Sequence, residues 1–451
     1  MARLFGTDGV RGVANKDLTA DMAYRLGYAG AVVLAGETIH KPTILIGCDT
    51  RISCGMLESA LAAGICSAGA DAVICGVIPT PAVAYLTRKY HYDAGVMISA
   101  SHNSYEYNGI KFFSGNGFKL PDHVEDEIEH LIVTYDEKTR EYPLGDKVGQ
   151  RIMMSDAVHL YSEHLKRRQS CDLSGLKIAL DCANGAASAI APSLFRDLGA
   201  TVFTVADQPD GKNINDRCGS THMEDLMQMV IREGCDLGFA FDGDADRLLV
   251  VDSYGKLVDG DVILALLGLD MKERGELKSE TIVITVMSNL GLDIMASGHG
   301  LTLEKTKVGD RYVLEKMLEQ GYNLGGEQSG HVILLDHATT GDGILTALAF
   351  LRAFLKKNIP LYEQTKIIDI LPQVLVSARI SDDKKESAMK DEKLASAISK
   401  YEKQLGANGR ILVRASGTEP VIRIMLEGKN KEEIQEMAEH LAELIISQYG
   451  V

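Results

Sequence analysis

One pattern recurs three times along this chain and limits what it can fold into: an apolar strand-like run, a loop of small or polar residues, a helix-like stretch, a glycine and a second strand-like run. The first copy opens at PTILIGCDTR (42–51) and closes at GADAVICG (69–76). The second runs from LKIALDCANG (176–185) to APSLFRDLGATVFTVAD (191–207), and the third from TIVITVMSN (281–289) to LDIMASGHGLTLEKTKV (292–308). Each reads as a β-α-β unit, so the chain is expected to form three similar α/β domains with mixed sheets and ligand loops at the strand ends. Beyond about Asp369 the pattern changes. LPQVLVSARI, GRILVRASG and IRIMLEG look like strands, KDEKLASAISKYEKQ is a charged helical segment, and EEIQEMAEHLAELIISQ sets Ile434, Met437, Leu441 and Ile445 on one helical face as core. A C-terminal α+β domain closes the chain. The expected domains are 1–153, 154–254, 255–368 and 369–451.

The length of 451 residues exceeds what one core usually serves. No apolar run approaches the roughly 20 residues of a membrane span, and the start, MARLFGTDGVRG, carries no export or import signal, so a cytoplasmic protein without a membrane partner is expected. A formal net charge of −16 argues against nucleic acid as a partner and implies that positive charge is concentrated where an anion sits. The eight cysteines lack CxxC pairing, which fits reduced, mostly buried thiols. The Lys/Glu-rich stretch SDDKKESAMKDEK reads as solvated surface.

Four stretches carry chemistry. In LGFAFDGDADRLLVVD a strand ends in Asp242, Asp244 and Asp246, followed by Arg247. Three carboxylates this close repel one another unless a hard divalent cation intervenes, and oxygen-only ligands suit magnesium. A calcium-binding EF-hand loop fails, because Arg247 stands where glycine is needed and Ser253 where a bidentate Glu belongs. A solvated acidic turn is the bland alternative, disfavoured by the apolar strands on both sides. In AGVMISASHNSYEYNGIKFF a strand runs out into a loop with Ser99, Ser101, His102, Asn108 and Lys111. Alone it reads as an ordinary turn. A phosphoryl group on Ser101 would, however, complete a magnesium site. In VRASGTEPVIR, residues Arg414, Ser416, Gly417, Thr418 and Arg423 surround a turn whose small residues, hydroxyls and arginine forks suit a phosphate. In LGGEQSGHVILLD, Glu327, Ser329 and His331 alternate, so an extended segment would point all three the same way, toward sugar hydroxyls.

SASHN, DGDADR, GEQSGH and SGTEP, in this order, resemble the α-D-phosphohexomutase superfamily over essentially the whole chain, and LFGTDGVRG points to its amino-sugar branch. The resemblance implies four domains in a heart shape around a central cleft, and interconversion of glucosamine 6-phosphate and glucosamine 1-phosphate on the route to UDP-N-acetylglucosamine. It implies Ser101 as phosphoserine and, with Asp242, Asp244 and Asp246, as magnesium ligand. Lys111 and His331 become the acid/base candidates, and Arg11 and Arg247 stabilise the transferring phosphoryl group. Glu327 and Ser329 hold sugar hydroxyls, Gly309 and Asp310 contact the ring, and Arg414, Ser416, Gly417, Thr418 and Arg423 grip the distal phosphate. The implied cofactors are Mg2+ and glucosamine 1,6-bisphosphate or glucose 1,6-bisphosphate as activator. A phosphosugar is the partner, a homodimer stays open, and the C-terminal domain is expected to act as a hinged lid while the bisphosphate turns around. The chain departs from the usual pattern at Ser104 and Ala415, where proline is common, and at Cys48 and Cys54. Alternatives are a mutase of neutral hexose phosphates, a metal-dependent phosphohydrolase and a non-catalytic sugar-phosphate regulator.

Overall fold

The structure is a computed structural model describing residues 3–6, 8–35, 40–134, 142–168, 171–416 and 419–450. It divides into two compact units, Met1–Met287 with Leu301–Lys366 and Ser288–Gly300 with Ile367–Val451.

The larger unit is built on three sheets. In the first, the strand order is Val10–Val13, Tyr107–Ser114, Ala94–Ile98, Thr43–Cys48, Asp71–Val77, Arg151–Met153. The last four run parallel and the first two add on antiparallel. Ala94–Ile98 is buried throughout and Thr43–Cys48 in all but its first residue, so both read as unbroken apolar runs, as expected of strands covered on two faces. The second sheet is ordered Leu257–Val258, Leu248–Asp252, Leu237–Phe241, Lys177–Asp181, Thr201–Val205, with the last three parallel. The third is ordered Thr302–Thr306, Thr281–Thr285, Leu324–Gly326, Val332–Leu334, with the first three parallel. The three predicted β-α-β units are present, each as two parallel neighbours joined through a helix: Cys54–Ser67, Ala191–Asp197 and Leu290–Gly298. The loops of interest all leave the carboxyl ends of parallel strands: Ser101 after Ala94–Ile98, Asp242 after Leu237–Phe241, Asp310 after Thr302–Thr306 and Glu327 after Leu324–Gly326.

The smaller unit is α+β. Its antiparallel sheet is ordered Gln373–Arg379, Val421–Gly428, Gly409–Ala415. Ile422, Ile424 and Leu426 pack against Ile434, Met437, Leu441 and Ile445, the face anticipated from helical spacing. Its two longest helices start on side-chain caps: Asp391 accepts from the amides of Lys393 and Leu394, and Asn430 from those of Glu432 and Glu433. All eight cysteines are free, five of them buried.

Candidate active site

Ser101 sits in a left-handed backbone conformation, φ +53°, and is 2% exposed. A non-glycine residue there carries strain that its surroundings must over-determine. They do. Its amide donates to Ser99 Oγ (2.9 Å), and Ser99 Oγ donates to Asp49 Oδ2 (2.6 Å). Its carbonyl accepts from Arg51 Nη2 and from Asn215 Nδ2, both at 2.9 Å. Arg51 is itself paired with Asp49 at 2.9 Å, both side chains fully buried. A Cβ on Gly243 would lie 2.5 Å from the Ser101 carbonyl oxygen, so only glycine lets the acidic loop approach this closely. Asp49, Arg51 and Asn215 were not singled out from sequence. Asp49 and Arg51 stand at the end of the Thr43–Cys48 strand, where a loop-residue argument could have found them, but Asn215 lies in an irregular segment with no local signal.

The Ser101 hydroxyl donates to Asp242 Oδ2 at 2.6 Å and lies 3.3 Å from His102 Nδ1. Asp242, Asp244 and Asp246 are buried and offer ligand oxygens all within 4.8 Å of one another. Asp244 Oδ2 accepts from Thr80 Oγ1 (2.6 Å) and Lys111 Nζ (2.8 Å), while its Oδ1 is buried with no hydrogen-bond partner. Burial, reinforced by Asp246 and Asp244, pushes the Asp242 carboxyl well above the ordinary carboxylate range. An oxygen-only donor set with an orphaned carboxylate oxygen fits a hard divalent cation.

Around the acids runs a circuit of charged groups, closed by Lys111, which also lies 3.9 Å from Asp246. Lys111, 2% exposed and not a surface lysine, pairs with Asp244 at 2.8 Å and Asp8 at 3.0 Å. Burial disfavours its charge, but Asp244, Asp8 and Asp246 outweigh that and raise its pKa. Asp8 also pairs with Arg11 and with Lys119 Nζ, the latter at 2.5 Å, and Lys119 reaches Asp310 Oδ2 at 2.5 Å. His331 completes the circuit, with Nε2 3.4 Å from Asp310 Oδ2 and Nδ1 3.5 Å from Asp246 Oδ1. The Gly341 amide also points at His331 Nε2 from 3.1 Å. That nitrogen therefore faces a donor suited to its neutral form and an acceptor suited to its protonated form. Burial opposes charge on His331, yet Asp246 and Asp310 raise its pKa to about 9. The Arg247 amide donates to Asp242 Oδ1 at 3.2 Å, which fixes its backbone beside the acids. Asp8, although inside LFGTDGVRG, and Lys119 were not singled out in the sequence, because Lys111 and Asp310 reach them only through the fold.

One expectation is corrected. Glu327, Ser329 and His331 do not form an extended row. The chain reverses there: the Gly330 amide donates to the Glu327 carbonyl (3.0 Å), the Glu327 amide to the His331 carbonyl (3.0 Å), and Gly330 adopts φ +90°. Glycine at Gly330 makes the turn accessible, and alternation along the sequence no longer sets direction. Ser329 is exposed on the turn, His331 is buried, and Glu327 Oε1 accepts from the Gly309 amide at 3.0 Å, tying the two predicted sugar loops together.

In the smaller unit, Arg414 and Arg423 face each other across neighbouring strands. Like charges in that register repel, and Arg423 pairs with Glu419. Among the described residues Arg414 has no carboxylate partner. Burial and Arg423 both lower its pKa. Ser416 is buried, and its Oγ accepts from the Glu419 amide at 3.2 Å. Lys385, in the stretch read as solvated surface, donates to the carbonyls of Ser416 (2.6 Å) and Glu419 (2.7 Å), so part of that stretch buttresses the turn. Gly417 and Thr418 lie outside the described residues.

Models of the four phosphoglucomutase/phosphomannomutase domains match in order: domain I at residues 2–139, domain II at 159–255, domain III at 259–369 and the C-terminal domain at 375–444. Among solved structures, a phosphoglucomutase/phosphomannomutase family protein from Burkholderia thailandensis superposes with TM-score 0.82 at 24% identity, covering 99% of this chain and 97% of that one. An N-acetylphosphoglucosamine mutase from Aspergillus fumigatus, solved with GlcNAc-6P and magnesium, superposes with TM-score 0.67 at 18% identity, covering 98% and 95%. The fold and the four models thus define a phosphohexomutase. Two bacterial phosphoglucosamine mutases are much nearer in sequence, from Clostridium botulinum (58% identical, 99% of this chain and 100% of the relative) and Acetivibrio thermocellus (53%, 100% of both). The chain belongs to the phosphoglucosamine mutase family of the α-D-phosphohexomutase superfamily.

Proposed function

We propose that this protein interconverts glucosamine 6-phosphate and glucosamine 1-phosphate by passing a phosphoryl group through Ser101, with a hexosamine 1,6-bisphosphate as intermediate. The observation that carries this reading is the buried Ser101 hydroxyl, 2.6 Å from Asp242 in a cluster of three acids, on a backbone held by hydrogen bonds with Ser99, Arg51 and Asn215. In the forward half-reaction the P–O bond to Ser101 Oγ breaks and a P–O bond to a sugar hydroxyl forms. Lys111 and His331 serve as the acid/base pair: the hydroxyl proton passes to His331 in its neutral form, Ser101 Oγ takes up a proton from the charged Lys111 as it leaves, and both transfers reverse in the second half-reaction when the other phosphate returns to Ser101. Asp242, Asp244 and Asp246, with the Ser101 phosphoryl oxygens, would hold a magnesium ion, which when bound neutralises charge on those oxygens.

Arg11 and Arg247 stabilise the transferring group. Glu327, Ser329, Gly309 and Asp310 orient the ring, and Arg414, Ser416, Gly417, Thr418 and Arg423 grip the phosphate that is not reacting. The bisphosphate, of glucosamine or glucose, serves as activator. Domain boundaries at 1–153, 154–254, 255–368 and 369–451 are supported by the positions of the four family matches. A bacterial enzyme of this kind would work in the cytoplasm and feed UDP-N-acetylglucosamine synthesis. Among the described residues no helix is long and apolar enough to cross a membrane.

The test is a coupled assay with magnesium and a trace of sugar bisphosphate, comparing glucosamine 6-phosphate, glucose 6-phosphate and mannose 6-phosphate, with Ser101→Ala alongside. Preference for the amino sugar, abolished in the variant, is the expected result. Preference for a neutral hexose would move the substrate, and activity retained in Ser101→Ala would overturn the mechanism.

A further inference from the structure

The turn between Ser114 and Lys119 belongs to no motif; Phe118 packs it on the core of the third sheet, and two polar contacts with that sheet's loops bear on His331. Nε2 of His331 is met by two groups, the Gly341 amide at 3.1 Å and Asp310 Oδ2 at 3.4 Å. The loop bearing Gly341 is fastened to this turn by Thr339, 4% exposed, whose Oγ1 donates to the Gly117 carbonyl at 2.5 Å. Asp310 is fastened to it by Lys119, at 2.5 Å, whose other partner is Asp8. The turn is itself secured to the first sheet, because the Ser114 amide donates to the Phe118 carbonyl (2.9 Å) and the Gly117 amide to the Ser114 carbonyl (2.7 Å). It leaves the end of Tyr107–Ser114, the strand that carries Lys111. One turn on the sheet of the Ser101 loop therefore holds both groups that meet Nε2 of a histidine from a different sheet.

We propose that the 114–119 turn, acting through Lys119 and Thr339, is a positioning device that fixes the Nε2 atom of His331 relative to Ser101. The inference rests on the reading of His331 as a proton-transfer group. Misplacing such a group by about 1 Å costs roughly a hundredfold in rate, so a looser anchor that leaves substrate binding intact lowers kcat while KM changes little.

The experiment is a double-mutant cycle on the full-length enzyme with glucosamine 6-phosphate, using Lys119→Met and Thr339→Val, each alone and combined with His331→Gln. Thr339→Val leaves Asp8 and Lys111 untouched, so it answers for Lys119 if Lys119→Met fails to fold. Each single variant is expected to lower kcat about tenfold with KM within about twofold, a part of the full misplacement cost. Lys119→Arg and Thr339→Ser should restore most of it, and in the His331→Gln background the losses should shrink to within about twofold. Losses of equal size in both backgrounds, or losses in KM alone, overturn the positioning role. An unchanged kcat in His331→Gln alone would instead overturn the reading of His331 itself.

Discussion

Strain at a single residue is tolerated only where neighbours pay for it, and Ser101 shows how. Its positive φ costs on the order of 1 kcal/mol, offset by four hydrogen bonds to amide, carbonyl and hydroxyl from Ser99, Arg51, Asn215 and Asp242. Away from the site, His164 shows the opposite balance. Stacked on Tyr85 with ring centroids 3.7 Å apart, it has its pKa lowered from 6.5 to about 4 by burial, with Arg168, Arg88, Lys89 and His337 adding to the effect. The folded-state value is the depressed one, so the unfolded chain takes up the proton first as the pH falls. Stability is complete above about pH 6.5 and is lost down to about pH 4. His164→Phe, which keeps the stack, is expected to lessen the drop in melting temperature between pH 7 and pH 5. An identical drop in both proteins would contradict this. Ser101 and the three acids were legible as residues because their spacing is local. Lys119 and Asn215 were not, since each acts on partners distant in sequence, and Asp8 and Arg51 each have, besides a near neighbour, a partner that only the fold supplies.

At the scale of elements, strand and helix periodicity read correctly wherever hydrophobic pattern alone sets the structure, as in Ala94–Ile98 and the face of Lys431–Tyr449. It failed at 327–331, where Gly330 turns the chain. It named both strands, 409–415 and 421–428, but not which of their residues oppose each other, because that depends on register. That register places Arg414 opposite Arg423. Removing one charge should relieve a repulsion of about 0.2–1 kcal/mol and weaken the proposed phosphate grip. Arg414→Gln is accordingly expected to raise the melting temperature by about 1–2 °C in phosphate-free buffer. The same variant should raise KM for glucosamine 6-phosphate about tenfold with kcat nearly unchanged. A lowered melting temperature with an unaltered KM would count against an anion site between these strands.

For the molecule as a whole, three sheets of one compact unit direct the carboxyl ends of their strands at a common set of charges, and the circuit Asp8–Lys111–Asp244 and Asp246–His331–Asp310–Lys119 joins loops from all three. The repeat of β-α-β units made this architecture readable, since each copy must place its loops at the same end of its sheet. The charge circuit was not readable, because it exists only once the three sheets are assembled. The proposed mechanism turns on Ser101 as a phosphoryl carrier. The measurement that tests this most directly is mass spectrometry of the Ser101 peptide from phosphorylated enzyme, before and after mixing with glucosamine 6-phosphate and magnesium. With an isotopic label in the Ser101 phosphate, its replacement by the unlabelled phosphoryl group of the substrate during turnover is the predicted result; a label that stays on Ser101 through turnover, or that is lost only as free inorganic phosphate, would contradict it.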